Sequence, residues 1–299
     1  MWNLGNVIFF NHYGNGDLLI SREFVRDIMS IIPADNYYYA HAKNTRMFAD
    51  IPQLQPAKIT DDCRMRSRGY RVGDDIYINT WLGVDSTFVT RANSCSILNS
   101  FKMFNLILDT LGYRQLNKSL EEYLPTIDYK AFDIAPVDDF IKNIDKPIVL
   151  IANCNAQSGQ AENFDMSSII QRLCNTYDDI MFVVTDPVGV KAPNYTTTGT
   201  ITKSKDGFDL NEISYLSRFS NLLIGRSSGA QIFTMTKENC MDANKAFVSF
   251  TYRIESAHIV WEAPKMNARI YWTSITDVER VYNAICEVIR KERERCQKH

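Results

Sequence analysis

The sequence predicts an α/β protein built in two halves, and three observations carry that expectation. Short apolar runs alternate along the chain with stretches whose apolar residues recur at helical spacing, the pattern of repeated strand–helix units. Residues 148–152 are continuously apolar, as suits a strand buried on both faces of a parallel sheet. The chain has 299 residues. At about 150 residues per domain, two domains are expected.

In order, residues 6–10 read as the first strand, stopped by the polar loop Asn11-His12-Tyr13-Gly14-Asn15-Gly16-Asp17, and 18–31 follow at helical spacing. Residues 36–41 are a β-prone run, 45–49 a short helix, and 75–81 a strand with a polar, aromatic tip. Residues 94–111, apolar at 97, 98, 101, 104, 107, 108 and 111 and followed by Gly112, read as an amphipathic helix. Periodicity fades over 116–146, around Pro125 and Pro136, so the domain boundary falls within 135–147 and the domains are taken as 1–140 and 141–299. The second half then reads as strand 148–153, small polar loop 155–160, helix 166–177, strand 180–185, strand 197–202 and helix 210–219. Strand 221–224, a small-residue loop, a resumed helix, strands 246–250 and 269–272 and helix 277–290 complete it. Residues 290–299 read as a charged, solvated tail.

Hydrophobic residues make up 45% of the chain, enough for real cores, and a formal charge of -2 without a long like-charged block gives a nucleic-acid surface no support. A small-molecule partner is expected. Seven cysteines (63, 95, 154, 174, 240, 286, 296) include no Cys-x-x-Cys pair, and histidines 12, 41, 258 and 299 show no metal-ligand spacing. A reduced protein without structural zinc fits this set. The N-terminus does not read as a signal peptide, and no run approaches the roughly 18 apolar residues of a membrane span. The expected location is the cytoplasm, with peripheral membrane contact open.

Two loops carry the candidate chemistry. Gly225-Arg226-Ser227-Ser228-Gly229 follows one short apolar run and precedes a helical pattern, so backbone N–H groups gather where an anion can be held. The same residues satisfy Gly-x-Ser-x-Gly, the nucleophile elbow. A hydrolase then requires an acid and a histidine after Ser227. His258 with Asp242 or Glu255 is a compressed arrangement, and His299 sits in the terminal tail. The anion cradle asks for less: a cation in Arg226, hydroxyls in Ser227 and Ser228, and an approachable backbone at Gly229. In the first half, the loop from Asn11 to Asp17 sits at the carboxyl end of a strand, where open α/β sheets bind ligands. Asp17 is a reactive carboxylate or a first-turn residue favoured by the helix dipole, and His12 is a second candidate base.

Residues 208–217 (Phe-Asp-Leu-Asn-Glu-Ile-Ser-Tyr-Leu-Ser) followed by 221–229 resemble the donor half of GT-B glycosyltransferases, particularly those akin to bacterial heptosyltransferases. The resemblance implies two Rossmann-like α/β domains facing across a cleft, the acceptor held by the first and a nucleotide-diphosphate sugar by the second. It implies donor contacts from Arg226, Ser227, Ser228 and Gly229, from Asn211 and Glu212 in the preceding helix, from Ser158, Gly159 and Gln160, and from Asp186. Gly16-Asp17-Leu18-Leu19 matches the family's Gly-Asp in chain order, which makes Asp17 the general base and places Asn11, Tyr13, Asn15 and Gly16 beside the acceptor, a glycan, lipid-linked or protein hydroxyl. The family pattern further implies inverting transfer without metal or cofactor, and no Asp-x-Asp motif occurs. The lysine and Asp-Thr-Gly loop common in heptosyltransferases are replaced by Arg-Ser-Ser-Gly, so a hexose as in fucosyltransferase-like enzymes stays open. The alternatives are a serine hydrolase on Ser227, or a non-catalytic nucleotide-sugar-binding protein of the same fold.

Overall fold

A computed structural model of the protein describes residues 5–84, 96–157, 159, 161–252 and 265–296, and the chain divides after Ala131 into two compact units. Both are α/β, and 11 strands are described in two sheets.

The first unit contains β1 (Asn6–Asn11), α1 (Asn15–Ile31), β2 (Asn36–His41), β3 (Leu54–Ala57), β4 (Gly69–Val72), β5 (Asp75–Asn79) and α2 (Ser96–Leu111). Its sheet runs β3-β2-β1-β5-β4, parallel except for β4, which returns antiparallel to β5. Connections leave β1 on one side toward β2 and later return to its other side as β5, so the strand order reverses at β1. Apolar spacing in α1 buries Leu18, Phe24, Val25 and Ile28, and Phe24 stacks on Phe104 of α2 at 5.0 Å and on Tyr123 at 4.4 Å. β3 and β4 are four residues each, too short to show alternation, and went unread in the sequence.

The second unit contains α3 (Ala135–Lys142), β6 (Ile148–Ala152), α4 (Ser167–Thr176), β7 (Met181–Val184), β8 (Tyr195–Thr197), α5 (Thr198–Thr202) and α6 (Leu210–Ser217). It continues with β9 (Ser220–Arg226), α7 (Gly229–Thr234), α8 (Lys237–Met241), β10 (Ala246–Phe250), β11 (Arg269–Thr273) and α9 (Val278–Cys296). The six-stranded sheet is wholly parallel in the order β11-β10-β9-β6-β7-β8, with its reversal between β6 and β9. Ile169, Ile170 and Leu173 of α4 meet Val281, Ile285 and Ile289 of α9 in one core with the strands.

Four readings are corrected. Residues 198–202 are helix, because Thr197 caps them by accepting the Thr200 N–H at 3.1 Å, a local bond that overrides their β-branched composition. The stretch read as loop contains α3, with Pro136 in its first turn, the one turn that tolerates proline. Helix α9 continues through the charged stretch to Cys296, where Arg269–Glu292 and Arg293–Asp179 pairs tie its polar side to the sheet side of the unit. Strand β9 extends through Gly225 and Arg226, leaving Ser227 and Ser228 as the turn. Among the described residues, no helix is long and apolar enough to cross a membrane.

Candidate functional site

Each unit presents a polar site at the reversal of its strand order, where strand-end loops part and open α/β sheets bind ligands. In the first unit, Asn11 ends β1 and its Oδ1 accepts the Tyr13 N–H at 2.9 Å, turning the chain into α1. Gly14 precedes the helix, Asn15 and Gly16 open it, and Asp17 follows in its first turn. The Asp17 carboxylate reaches back to the Gly14 N–H at 3.3 Å. Burial raises its pKa above the usual carboxylate range, and the Gly14 hydrogen bond opposes that shift only in part.

Beneath this loop lies a buried chain of hydroxyls. Tyr39 Oη is 2.7 Å from Ser21 Oγ and 2.6 Å from Thr80 Oγ1, while Asn11 Nδ2 donates to Thr80 at 3.0 Å and Ser21 donates to the Leu18 carbonyl at 2.9 Å. Tyr39 has one proton for two neighbours. Ser21 is committed to Leu18, and the alternative acceptor for Thr80, the Phe10 carbonyl, is 3.3 Å away. The protons therefore run Asn11 to Thr80 to Tyr39 to Ser21 to Leu18, a directed network that fixes the loop from below. Burial raises the Tyr39 pKa, and the negative charge of Asp17 adds to the shift.

His12 donates Nε2–H to the Cys63 carbonyl at 2.8 Å, which in the neutral ring leaves Nδ1 as its acceptor nitrogen. Asn15 Oδ1 is enclosed, without a donor among the described residues. Tyr13 is exposed and stacks on Trp81, which follows β5. Trp81 was visible in the sequence only as an aromatic strand tip. His41, at the end of β2, was not singled out. It is buried, its Nδ1 accepts the Lys43 N–H at 3.1 Å, and burial lowers its pKa.

In the second unit, the site lies where β6 and β9 end side by side. Arg226, expected to reach a ligand, is 2% exposed. Its Nη1 donates to the Asn153 carbonyl at 2.6 Å and to Asn155 Oδ1 at 3.2 Å, Nη2 donates to the Phe164 carbonyl, and the guanidinium lies 4.8 Å from the Phe164 ring centre. It is thus a buried anchor for the loop after β6. No carboxylate forms an ion pair with it among the described residues, so its charge is not neutralised at contact distance; burial pulls its pKa down, and Cys154, Asp165 and Asp186 partly restore it.

Ser227 is buried and its N–H donates to the Phe250 carbonyl at 3.2 Å, which removes that amide from any cradle. Ser228 precedes α7, with its Oγ enclosed and without a partner among the described residues, and Gly229 is the first helical residue. Asp186 follows β7 and is joined to this site through Asn153, whose side chain accepts the Asp186 N–H at 2.8 Å and donates to its carbonyl at 2.8 Å. Cys154 donates to Asp186 Oδ1 at 3.3 Å, and burial lifts its thiol pKa to about 12, so it is inert as a nucleophile at neutral pH. Asn211 and Glu212 are buried in the first turn of α6, which packs against α7 and β9. Gly159 sits at a φ of +71° on the surface, while Ser158 and Gln160 lie outside the described residues.

A nucleophile elbow holds its serine exposed. Ser227 is only 3% exposed, and Asp242 caps the Asn244 N–H at 2.8 Å. Glu255, His258 and His299 lie outside the described residues.

No protein-family model matches the sequence, and no curated protein matches it. Solved structures do match its fold. A glycosyl transferase family 9 protein from Veillonella parvula superposes over 97% of this chain and 92% of its own, with 10% identity and a TM-score of 0.51. The E. coli heptosyltransferase WaaC with ADP-2-deoxy-2-fluoro heptose covers 96% of this chain and 99% of its own, with 9% identity and the same TM-score of 0.51; its complex with ADP gives identical figures. The chain therefore has the heptosyltransferase-like GT-B fold, two α/β units each built on a mainly parallel sheet.

Proposed function

We propose that this chain is a glycosyltransferase that moves a sugar from a nucleotide-diphosphate donor to an acceptor hydroxyl, with inversion and without a metal. The observation that carries the reading is Asp17, a half-buried carboxylate of raised pKa at the strand-order reversal of a sheet whose fold solved glycosyltransferases share. Burial makes it a stronger base than a solvated carboxylate. Asp17 accepts the acceptor's O–H proton as that oxygen attacks the anomeric carbon, the bond from that carbon to the diphosphate oxygen breaks, and the nucleoside diphosphate departs with its electron pair. His12 Nδ1 is the alternative acceptor of that proton on the same loop.

On the donor side, Ser228 Oγ and the Gly229 N–H are the groups offered to the diphosphate, with Asn211, Glu212 and Asp186 bordering the nucleoside or sugar. Arg226 supplies a fixed positive field from within strand β9 and holds the loop after β6, in place of the direct contact expected from sequence.

The test is a thermal-shift panel of nucleotide-sugars on the whole chain, followed by diphosphate release with the best binder, with and without EDTA. A donor that shifts the melting temperature and turns over equally in EDTA supports the reading. The absence of a shift with every donor overturns it, and EDTA-sensitive turnover overturns its metal-free form.

A further inference from the structure

We propose that the acceptor is a neutral sugar residue, held with one face of its pyranose ring against the stacked pair Tyr13 and Trp81; the proposal rests on the glycosyltransferase reading above. Strands β1 and β5 are neighbours, with Phe10 paired to Asn79, and each ends in an asparagine that turns the chain in the same way. Asn11 Oδ1 accepts the Tyr13 N–H at 2.9 Å, and Asn79 Oδ1 accepts the Trp81 N–H at 3.0 Å. These twin turns raise two rings side by side, their centres 3.9 Å apart and their planes 26° from parallel.

Both rings are held. A Cβ on Gly83 would fall within the Trp81 indole, so glycine is what lets the backbone lie against that side chain. Tyr13 Oη donates to Met65 Sδ at 3.6 Å. Tyr13 is 37% exposed and Met65 44% exposed, so with the indole seated on one face of the tyrosine a rigid aromatic and thioether surface remains open to solvent.

The polar atoms of the same loop decide what such a surface receives. In the neutral ring His12 Nδ1 is an acceptor because Nε2–H is committed to Cys63, and the Asp17 carboxylate is an acceptor by nature. Both call for O–H donors, and a carboxylate or phosphate ligand would meet lone pairs and a negative charge. A neutral pyranose combines what the loop lacks, several hydroxyl donors around one ring, with an apolar C–H face for the aromatic pair. A serine side chain or a lipid alcohol offers a single hydroxyl and no such face.

The experiment titrates the whole chain with methyl glycosides of neutral hexoses, the matching hexuronic acids and a serine-containing peptide, read by saturation-transfer NMR. Binding of ADP, GDP and UDP is measured alongside. The expected result is a neutral glycoside that binds with transfer concentrated on the C–H protons of one ring face. Trp81→Ala and Gly83→Ala should each weaken it about tenfold, Trp81→Phe should recover most of the loss, and nucleotide affinity should stay unchanged in all three. Preference for the hexuronic acid or the peptide overturns the proposal. So does equal glycoside affinity in folded Trp81→Ala, or no glycoside binding at millimolar concentration. Glycoside binding that passes these criteria in a protein that binds no nucleotide overturns the transferase reading alone.

Discussion

Ala152 and Gly225 are register partners across β6 and β9, so close that a Cβ on Gly225 would stand 2.9 Å from the Ala152 Cβ and 3.0 Å from its carbonyl oxygen. The Gln231 Cβ of α7 would meet it from another side at 3.2 Å. The missing side chain lets α7 fold over the end of the sheet, which sets where Ser228 and Gly229 stand.

Gly225→Ala should therefore destabilise the protein by about 1–3 kcal/mol, the usual cost of overpacking, and weaken nucleotide binding. Adding Ala152→Gly removes one side-chain contact and leaves those with the Ala152 carbonyl and the Gln231 Cβ, so the double variant should recover only part of the loss in urea unfolding. Full recovery would show that both remaining approaches are harmless.

Asp17→Asn should lower transfer by about 100-fold or more, the usual contribution of a general base, with donor affinity unchanged. The sign of its stability effect is also defined. The folded pKa of Asp17 is raised, so the group stabilises the fold at low pH and that contribution is lost as pH rises through the folded value. The asparagine variant escapes that loss and should melt higher than wild type at pH above that folded value. In the wild type, turnover should fall as pH drops through a midpoint above the ordinary carboxylate range, since protonated Asp17 cannot accept a proton. A variant that loses donor binding as well would assign Asp17 a structural role.

Arg226→Ala strips donors from the Asn153 and Phe164 carbonyls, and each buried polar group left alone costs about 1–3 kcal/mol. A loss of about 3 kcal/mol in chemical denaturation is expected. Arg226→Lys keeps the charge but not the fork, so it should retain more nucleotide affinity than Arg226→Ala while staying destabilised. Wild-type stability in either variant would remove the anchor role.

Tyr39→Phe interrupts the proton chain between Thr80 and Ser21 and should cost about 1–2 kcal/mol. Because Asp17 and Tyr39 feel each other electrostatically, the acid limb of the pH–rate profile should move as well. A stability change with an unmoved profile would confine the network to holding the fold.

Much of the architecture is legible in the sequence. The runs at 36–41, 148–152 and 246–250 and the periodic stretches that became α1, α2 and α4 announce themselves through apolar periods of a few residues. The Asp17 loop was legible as well, because an apolar strand stopping at a glycine-containing polar segment is a local signal. Short β3 and β4 carry too few residues for a period, and α5 is written in threonines that favour strand until one of them caps a helix.

The sequence by itself determined the α/β alternation, the two loops that bear polar chemistry and the place of Asp17 at a helix start. Helical and strand periods, caps and turn residues act over a few bonds, and their signals lie in adjacent letters. Tertiary structure decided what those letters do. It drew Arg226 into β9 and gave its donors to distant carbonyls, spent the Ser227 amide on Phe250, and brought Trp81 from the end of β5 against Tyr13. Which donor meets which acceptor, and which ring covers which, follows from strand order and register, and those are set by burial of the whole sheet rather than by any segment within it.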